Sequence, residues 1–256
     1  MATGNVFEDH GLPSIDAQKE FWARWNEKWR FRDGLDDFMQ RQSHIAVAWA
    51  ARVGLERASI LDAGCGTGWL GDTLRPFGRV IGVDLSPTAI AEGSRRHTGV
   101  DLRCGDFLTM ELPTQFDFVV SADSLAHVAD QRAYITRVAG LMRPGGTLLL
   151  MSQNPPIWRR RSKWVPTEAG QIEVWPSLRD LRSYLRPSFT VLHVTSLVPG
   201  GDRGALWWVE NRFVRQAVRQ LVGASRWDAL LERALLGREL VVVAQRNGSS
   251  HAASPS

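Results

Sequence analysis

The alternation of short apolar runs with helix-patterned segments, from about residue 45 to 152, constrains this chain more than any other feature. Residues 57–62, 79–84, 100–104, 116–121 and 147–152 each read as a short strand. Between them, 69–74, 87–96 and 131–142 carry helical spacing. Ser86 is a plausible N-cap with Pro87 at the first helical position, and Arg143-Pro144-Gly145-Gly146 is a stop. Strands this apolar have no polar face to turn to solvent, so a parallel sheet covered by helices on both faces is expected. The alternation breaks late. Residues 189–198 and 239–245 are β-rich and flank a helix-patterned stretch at 205–236, so two late strands, paired antiparallel, are expected to close the sheet.

This pattern divides the chain into a helical N-terminal cap at 1–45 and a domain at 46–246. Within the domain lie a cofactor-binding core at 57–152, a lid or substrate insertion at 153–187, and late strands with a helical insertion at 188–246. The Ser/Ala-rich tail at 247–256 is expected to be disordered. With 44% hydrophobic and 23% charged residues, the composition excludes a disordered chain. No apolar run approaches a bilayer span, and residues 1–14 lack a signal-peptide core, so a cytoplasmic protein is expected. Two cysteines, Cys65 and Cys104, are too few for a disulfide framework, and no histidines pair at metal-ligand spacing, so no metal site is expected. The net charge of +4 suits an acidic partner without implying nucleic acid.

Asp62-Ala63-Gly64-Cys65-Gly66-Thr67-Gly68 follows the first strand, at the edge where open α/β sheets bind ligands. Glycines there let the backbone turn tightly and approach a ligand. Gly66-Thr67-Gly68-Trp69-Leu70-Gly71 is also a literal GxGxxG, with Asp84 at the distance of a dinucleotide site, so an NAD-dependent oxidoreductase is a competing reading. The carboxylates favour another ligand. Asp62 would repel a pyrophosphate and suits a cationic amino-acid end. Asp84, ending the second strand, can accept two hydrogen bonds from ribose hydroxyls. Asp106, after the third, can accept from an adenine amino group, with Phe107 packing on the ring. Three carboxylates at three successive strand ends match one cationic nucleoside cofactor. Taken singly, Asp106 also reads as a helix cap, Asp84 as a turn former and Phe107 as a core aromatic.

The run Ile60-Leu61-Asp62-Ala63-Gly64-Cys65-Gly66-Thr67-Gly68 resembles the first motif of class I S-adenosylmethionine-dependent methyltransferases. Val83-Asp84-Leu85-Ser86 resembles their second, Gly105-Asp106-Phe107 their third and Phe116-Asp117-Phe118-Val119-Val120 their fourth. Leu141-Met142-Arg143-Pro144-Gly145-Gly146 resembles the turn before their fifth strand, and all come in family order and spacing across 57–152. The flavour is that of small-molecule enzymes of the ubiquinone-biosynthesis type. The resemblance implies a Rossmann-like α/β fold, with a seven-stranded, mostly parallel sheet, helices on both faces and an antiparallel last strand. It implies S-adenosyl-L-methionine as cofactor and methyl transfer to an O, N or C atom of a small-molecule metabolite. It assigns cofactor contacts to Asp62, Ala63, Gly64, Gly66, Gly68, Asp84, Leu85, Asp106, Phe107 and Ala122. Asp62 and Gly64 would hold the methionine end, Asp84 the ribose, and Leu85, Asp106 and Phe107 the adenine. A catalytically silent cofactor-binding protein is the reading outside enzymology.

A sulfonium methyl is already electrophilic, so the protein must align acceptor, methyl and sulfur and exclude water. A base is needed only if the acceptor starts protonated. His127, after the fourth strand, is the candidate base, and a structural or capping role is its competitor. Asp123 and Ser124 read either as cofactor contacts or as caps. Asn154-Pro155-Pro156-Ile157 resembles the (D/N)PPY motif of nucleic-acid amino-methyltransferases. It follows the fifth strand rather than the fourth and lacks the final aromatic, so it reads as a loop turn, and nucleic acid is not an expected partner. Arg159, Arg160 and Arg161, flanked by Trp158 and Trp164, form either a solvated loop or a lid for an anionic group on the acceptor. Phe21, Trp22, Trp25 and Trp29 recur at helical spacing. They read as core packing, or with Trp25 or Trp29 facing the cofactor and acceptor. The glycine-rich turn at 199–204 reads as a connector or a pocket rim.

Overall fold

The computed structural model describes residues 12–31, 34–160, 168–200, 207 and 211–248. Expectations placed on residues 1–11, on Arg161, on 201–204 and on the tail from 249 lie outside the described residues. Seven strands form one sheet: β1 (Ala58–Ala63), β2 (Gly78–Asp84), β3 (Asp101–Cys104), β4 (Phe116–Ala122), β5 (Met142–Gln153), β6 (Phe189–Pro199) and β7 (Gly237–Arg246). Their order is β3-β2-β1-β4-β5-β7-β6. The first five pair in parallel, while β7 runs antiparallel to both β5 and β6. The antiparallel closure expected from the two late β-rich runs is therefore present, with β7 slotted between its neighbours.

Burial explains why the strands are apolar throughout. Leu61 and Val119 pack on one face with Tyr134, Ile135 and Leu181. These come from α5 (Gln131–Leu141) and α7 (Leu178–Leu185). Ile60 and Phe118, one residue away in each strand, pack on the other face with Ala46, Ala50 and Leu70. Those belong to α2 (Asp37–Arg52) and α3 (Trp69–Leu74). Side chains alternate across a strand, so two covered faces require apolar residues at every position. Tyr134 is buried and keeps its hydroxyl satisfied, sharing a hydrogen bond with Ser121 Oγ at 2.9 Å and donating to the Ala63 carbonyl at 3.1 Å. That bond fastens the end of β1 just beneath the glycine loop.

The cap begins with α1 (Ile15–Trp29), whose first turn is capped by Ser14, and α2 is capped by Asp36. Helix α2 crosses residue 45: Ala46 and Ala50 sit in the core, while Gln42 points to the strand ends. Helix α4 (Pro87–Arg96) packs against α1. Where a loop turn was expected after β5, there is one helical turn, α6 (Pro155–Trp158). Pro155 suits a first helical position, where no N–H is needed. Asn154 before it is buried and donates through Nδ2 to the carbonyls of Leu235 and Gly237, tying the turn to the start of β7. Helices α8 (Arg212–Val222) and α9 (Ala224–Arg233) occupy the insertion before β7.

Candidate active site

The glycine loop turns through three left-handed residues, Gly64 (φ 80°), Gly66 (φ 55°) and Gly68 (φ 78°), before α3 begins. Four of the five amides from 64 to 68 are already committed. Gly64 and Cys65 both donate to the Val83 carbonyl, Gly66 donates to Asp84 Oδ2 at 2.8 Å, and Gly68 donates to the Cys65 carbonyl. Asp62 lies under the loop, 1% exposed, with Oδ2 accepting from the Gly71 amide at 3.0 Å. Gly71 packs closely on Val80 and Asp62, which accounts for the third glycine of the GxGxxG without a dinucleotide. Asp84 also accepts from the Ser86 amide through Oδ1 at 2.8 Å. Each Asp84 oxygen retains a lone pair. Burial, with the nearby Asp84 charge adding to it, pushes the Asp62 carboxyl up to about 7. Burial also raises Asp84, against the pull of its amide partners. A cleft with one buried and one half-buried carboxyl and few free amides disfavours a phosphate and favours a cation.

The other assigned positions surround this pair. Ala63 is buried, and Leu85 and Ala122 are half-buried at the ends of β2 and β4. Asp106 caps its own turn, accepting from the Leu108 amide at 2.9 Å. Phe107 is 9% exposed, packed on Tyr134 with ring centroids 4.7 Å apart. Ser124 leans onto the loop and donates to the Gly64 carbonyl at 3.2 Å. Helix α1 roofs this edge: Asn26, buried in it, stands 3.9 Å from where a Gly66 side chain would begin.

His127 sits on a short 3-10 turn (Leu125–His127) after β4. Its Nδ1 lies 2.8 Å from the Ile172 carbonyl. A carbonyl only accepts, so Nδ1 carries the proton and Nε2 presents a lone pair. Burial holds the ring's pKa below the ordinary value, against the opposing effect of that hydrogen bond. Residues 172–174 of the insertion are fastened alongside: the Val174 amide donates to Ala126 O, and Gln131 Nε2 donates to Val174 O. The aromatic facing His127 is Trp22, edge-on at 4.7 Å, which the helical stripe did not single out. Trp25 packs on Trp22 at 5.6 Å, beneath the Arg30 guanidinium. Trp29 is 49% exposed, with Lys28 Nζ over its ring, and Arg159 and Arg160 are exposed. A hollow of about 550 Å³ lies elsewhere, between residues 109–114 and α5, and none of the assigned residues lines it.

A family described as a methyltransferase domain matches residues 61–150. A methyltransferase of uncharacterized activity from Mycobacterium tuberculosis (strain ATCC 25618 / H37Rv) is 32% identical over 190 residues, spanning 65% of this chain and 90% of its own length. The chain belongs to the class I S-adenosylmethionine-dependent methyltransferases. This methyltransferase is also 39% identical, over 142 residues, to a ubiquinone biosynthesis O-methyltransferase from Xanthomonas campestris pv. campestris (strain B100). That match covers 52% of this chain and 59% of that enzyme. Its fold is similar to that of the N-methyltransferase NodS from Bradyrhizobium japonicum WM9, solved with S-adenosyl-L-homocysteine. The TM-score is 0.62 and the identity 17%, covering 91% of this chain and 100% of that one. The sheet order, with antiparallel β7 inserted before β6, departs from the 3-2-1-4-5-6 order of dinucleotide-binding sheets. The methyltransferase's cofactor is S-adenosyl-L-methionine, and the residues present fit it, because a sulfonium with an ammonium end suits the carboxyls of Asp62 and Asp84. Among the described residues, no helix is long and apolar enough to cross a membrane.

Proposed function

We propose that this methyltransferase moves a methyl group from S-adenosyl-L-methionine to an O, N or C atom of a small-molecule metabolite. The observation that carries this is the pair Asp62 and Asp84 under a loop most of whose amides are already spent on protein acceptors. Asp62 and the Gly64 turn hold the methionine end, with Ala63, Gly66 and Gly68 shaping the loop against it. Asp84 takes the ribose hydroxyls on its remaining lone pairs, and Leu85, Asp106 and Phe107 border the adenine. Ala122 lines the cofactor edge beside Ser124.

The cofactor supplies an electrophilic methyl group, and the chain's own residues bind, orient and exclude water. His127, neutral and with Nε2 free of the Ile172 bond, accepts the acceptor's proton. Trp22 and Trp25 wall the acceptor side. Trp29, Arg159 and Arg160 stand further out, where they meet an anionic tail on the acceptor. The likeness to a ubiquinone biosynthesis O-methyltransferase supports a small-molecule acceptor. Two separate free cysteines, Cys65 and Cys104, suit the reducing cytoplasm in which we place the reaction.

Calorimetric titration with S-adenosylmethionine, S-adenosylhomocysteine and NAD, followed by transfer of labelled methyl to a metabolite extract, tests this reading. Binding of both adenosyl ligands, no binding of NAD and a labelled product are expected. Cofactor binding with a persistently blank extract would instead favour a catalytically silent binder.

A further inference from the structure

Beside the glycine loop, four elements bring polar side chains to one buried spot. Asp123 follows β4, one residue before the Ser124 that leans on Gly64, and holds a positive φ of 56°. Gln42 of α2, 1% exposed, donates through Nε2 to Asp123 Oδ2 at 3.0 Å and to Glu239 Oε1 at 2.7 Å. Gln153, at the end of β5, donates through Nε2 to Asp123 Oδ1 at 3.0 Å. Glu239 of β7 is 1% exposed, and Gln42 Nε2 bridges its carboxyl to that of Asp123. Burial, with the Asp123 charge adding to it, holds a proton on Glu239, the more enclosed of the two carboxyls, and leaves Asp123 the ionised partner. Among the described residues, Arg30 acts on Asp123 and Arg238 on Glu239.

This cluster satisfies itself in one sense only. The ionised Asp123 only accepts, which forces both glutamine nitrogens towards it and turns the amide oxygens away. Gln42 Oε1 and Gln153 Oε1 are then buried without a partner, as is Glu239 Oε2. Buried acceptors without donors are costly and uncommon. The two amide oxygens, which only accept, lack a donor.

We propose that Gln42, Asp123, Gln153 and Glu239 form the subsite that recognises an amino group on the methyl acceptor. An ammonium or amine brings several N–H donors and, when charged, answers the net negative charge of the carboxyl pair. The site sits next to the loop that holds the cofactor, so an amine bound there is within a few side chains of the reacting centre. This rests on the methyltransferase reading and narrows its acceptor class. It differs from the arginine-lid expectation, because the recognition is buried and directed at N–H.

A metabolite extract is split on a strong cation exchanger at acid pH into an amine-bearing pool and an amine-free flow-through. Each is incubated with the full chain and S-adenosylmethionine labelled in the methyl group. Label is expected in the amine-bearing pool, and acylating the amines beforehand should reduce it at least about tenfold. Label confined to the flow-through, label unchanged by acylation, or no label in the amine pool overturns the proposal. Gln42→Met, and Gln153→Met on the less buried side, should raise the KM for that pool at least about tenfold while S-adenosylhomocysteine affinity stays within about twofold. A variant that folds, by its melting temperature, and keeps its KM would identify the missing donor as a resident water and overturn the proposal. Failure of the wild-type protein to bind S-adenosylhomocysteine is a separate result and would sink the methyltransferase reading itself.

Discussion

Ser124 Oγ lies 3.2 Å from the Gly64 carbonyl and 3.0 Å from the Ala122 carbonyl, its one proton shared between them, and a Cβ on Gly64 would stand 1.9 Å from that hydroxyl oxygen. The loop can close onto β4 only because residue 64 has no side chain. Gly64→Ala meets both this clash and the cost of a left-handed residue, about 1–2 kcal/mol for non-glycine. A fall of at least about 4 °C in melting temperature is expected at this chain length. Ser124→Gly in the same protein removes both atoms that clash and should restore part of the loss. A double variant no more stable than Gly64→Ala alone would show that the contact is not the cause.

Asp84 receives two backbone amides, from Gly66 and Ser86, and has two lone pairs left for a ribose. Asp84→Asn keeps one accepting oxygen and sets an NH₂ group against an amide donor. Affinity for S-adenosylhomocysteine should fall at least about tenfold, or about 1.4 kcal/mol. Calorimetry reads this directly, and unchanged affinity would remove Asp84 from the ribose.

The parts of the molecule legible in sequence are those written in contiguous stretches. Each strand, its terminal carboxylate and the loop after it lie within about ten residues, so Asp62, Asp84 and Asp106 could be found by reading along the chain. The antiparallel late strands were legible for the same reason. The cluster around Asp123 was not, because Gln42, Gln153 and Glu239 meet it from sequence distances no local period encodes. Helical spacing marks an aromatic stripe on α1 without fixing which ring meets which partner. Trp22 meets His127, whereas Trp29, the last residue of the helix, is half exposed. Asn154-Pro155 reads as a turn in sequence, but proline is equally at home in a first helical turn, and only the bonds from Asn154 to Leu235 and Gly237 decide between the two.

Asp62 holds its proton up to about pH 7 in the empty protein, chiefly because it is buried. The unfolded chain loses that proton near the ordinary carboxylate value. The folded state therefore carries the extra proton through the window between, and Asp62's contribution to stability is full below it and lost as pH rises to about 7. Asp62→Asn still accepts from Gly71, so it should flatten this part of the stability profile and make the empty protein relatively more stable at pH 8. A cationic methionine end favours the ionised form, so binding S-adenosylhomocysteine at pH 7 should release roughly half a proton. Titrations in buffers of different ionisation enthalpy measure that release, and none would mean that Asp62 does not meet the ligand's charge.

His127 has the opposite sign. Its folded pKa lies below the ordinary value because the ring is buried. The unfolded chain binds a proton first as pH falls, so this contribution to stability is present above about pH 6.5 and lost as pH drops through the folded value. The same titration should give turnover an acid limb below about pH 6.5, since protonation removes the Nε2 lone pair. His127→Ala should cost about 10²–10⁴ in kcat if the ring takes the acceptor's proton, with cofactor affinity within about twofold. His127→Gln, which keeps an N–H for the Ile172 carbonyl but supplies no base, separates the roles. Rescue of kcat by glutamine would reduce His127 to a strut holding residues 172–174 against the site, and continued loss would identify it as the base.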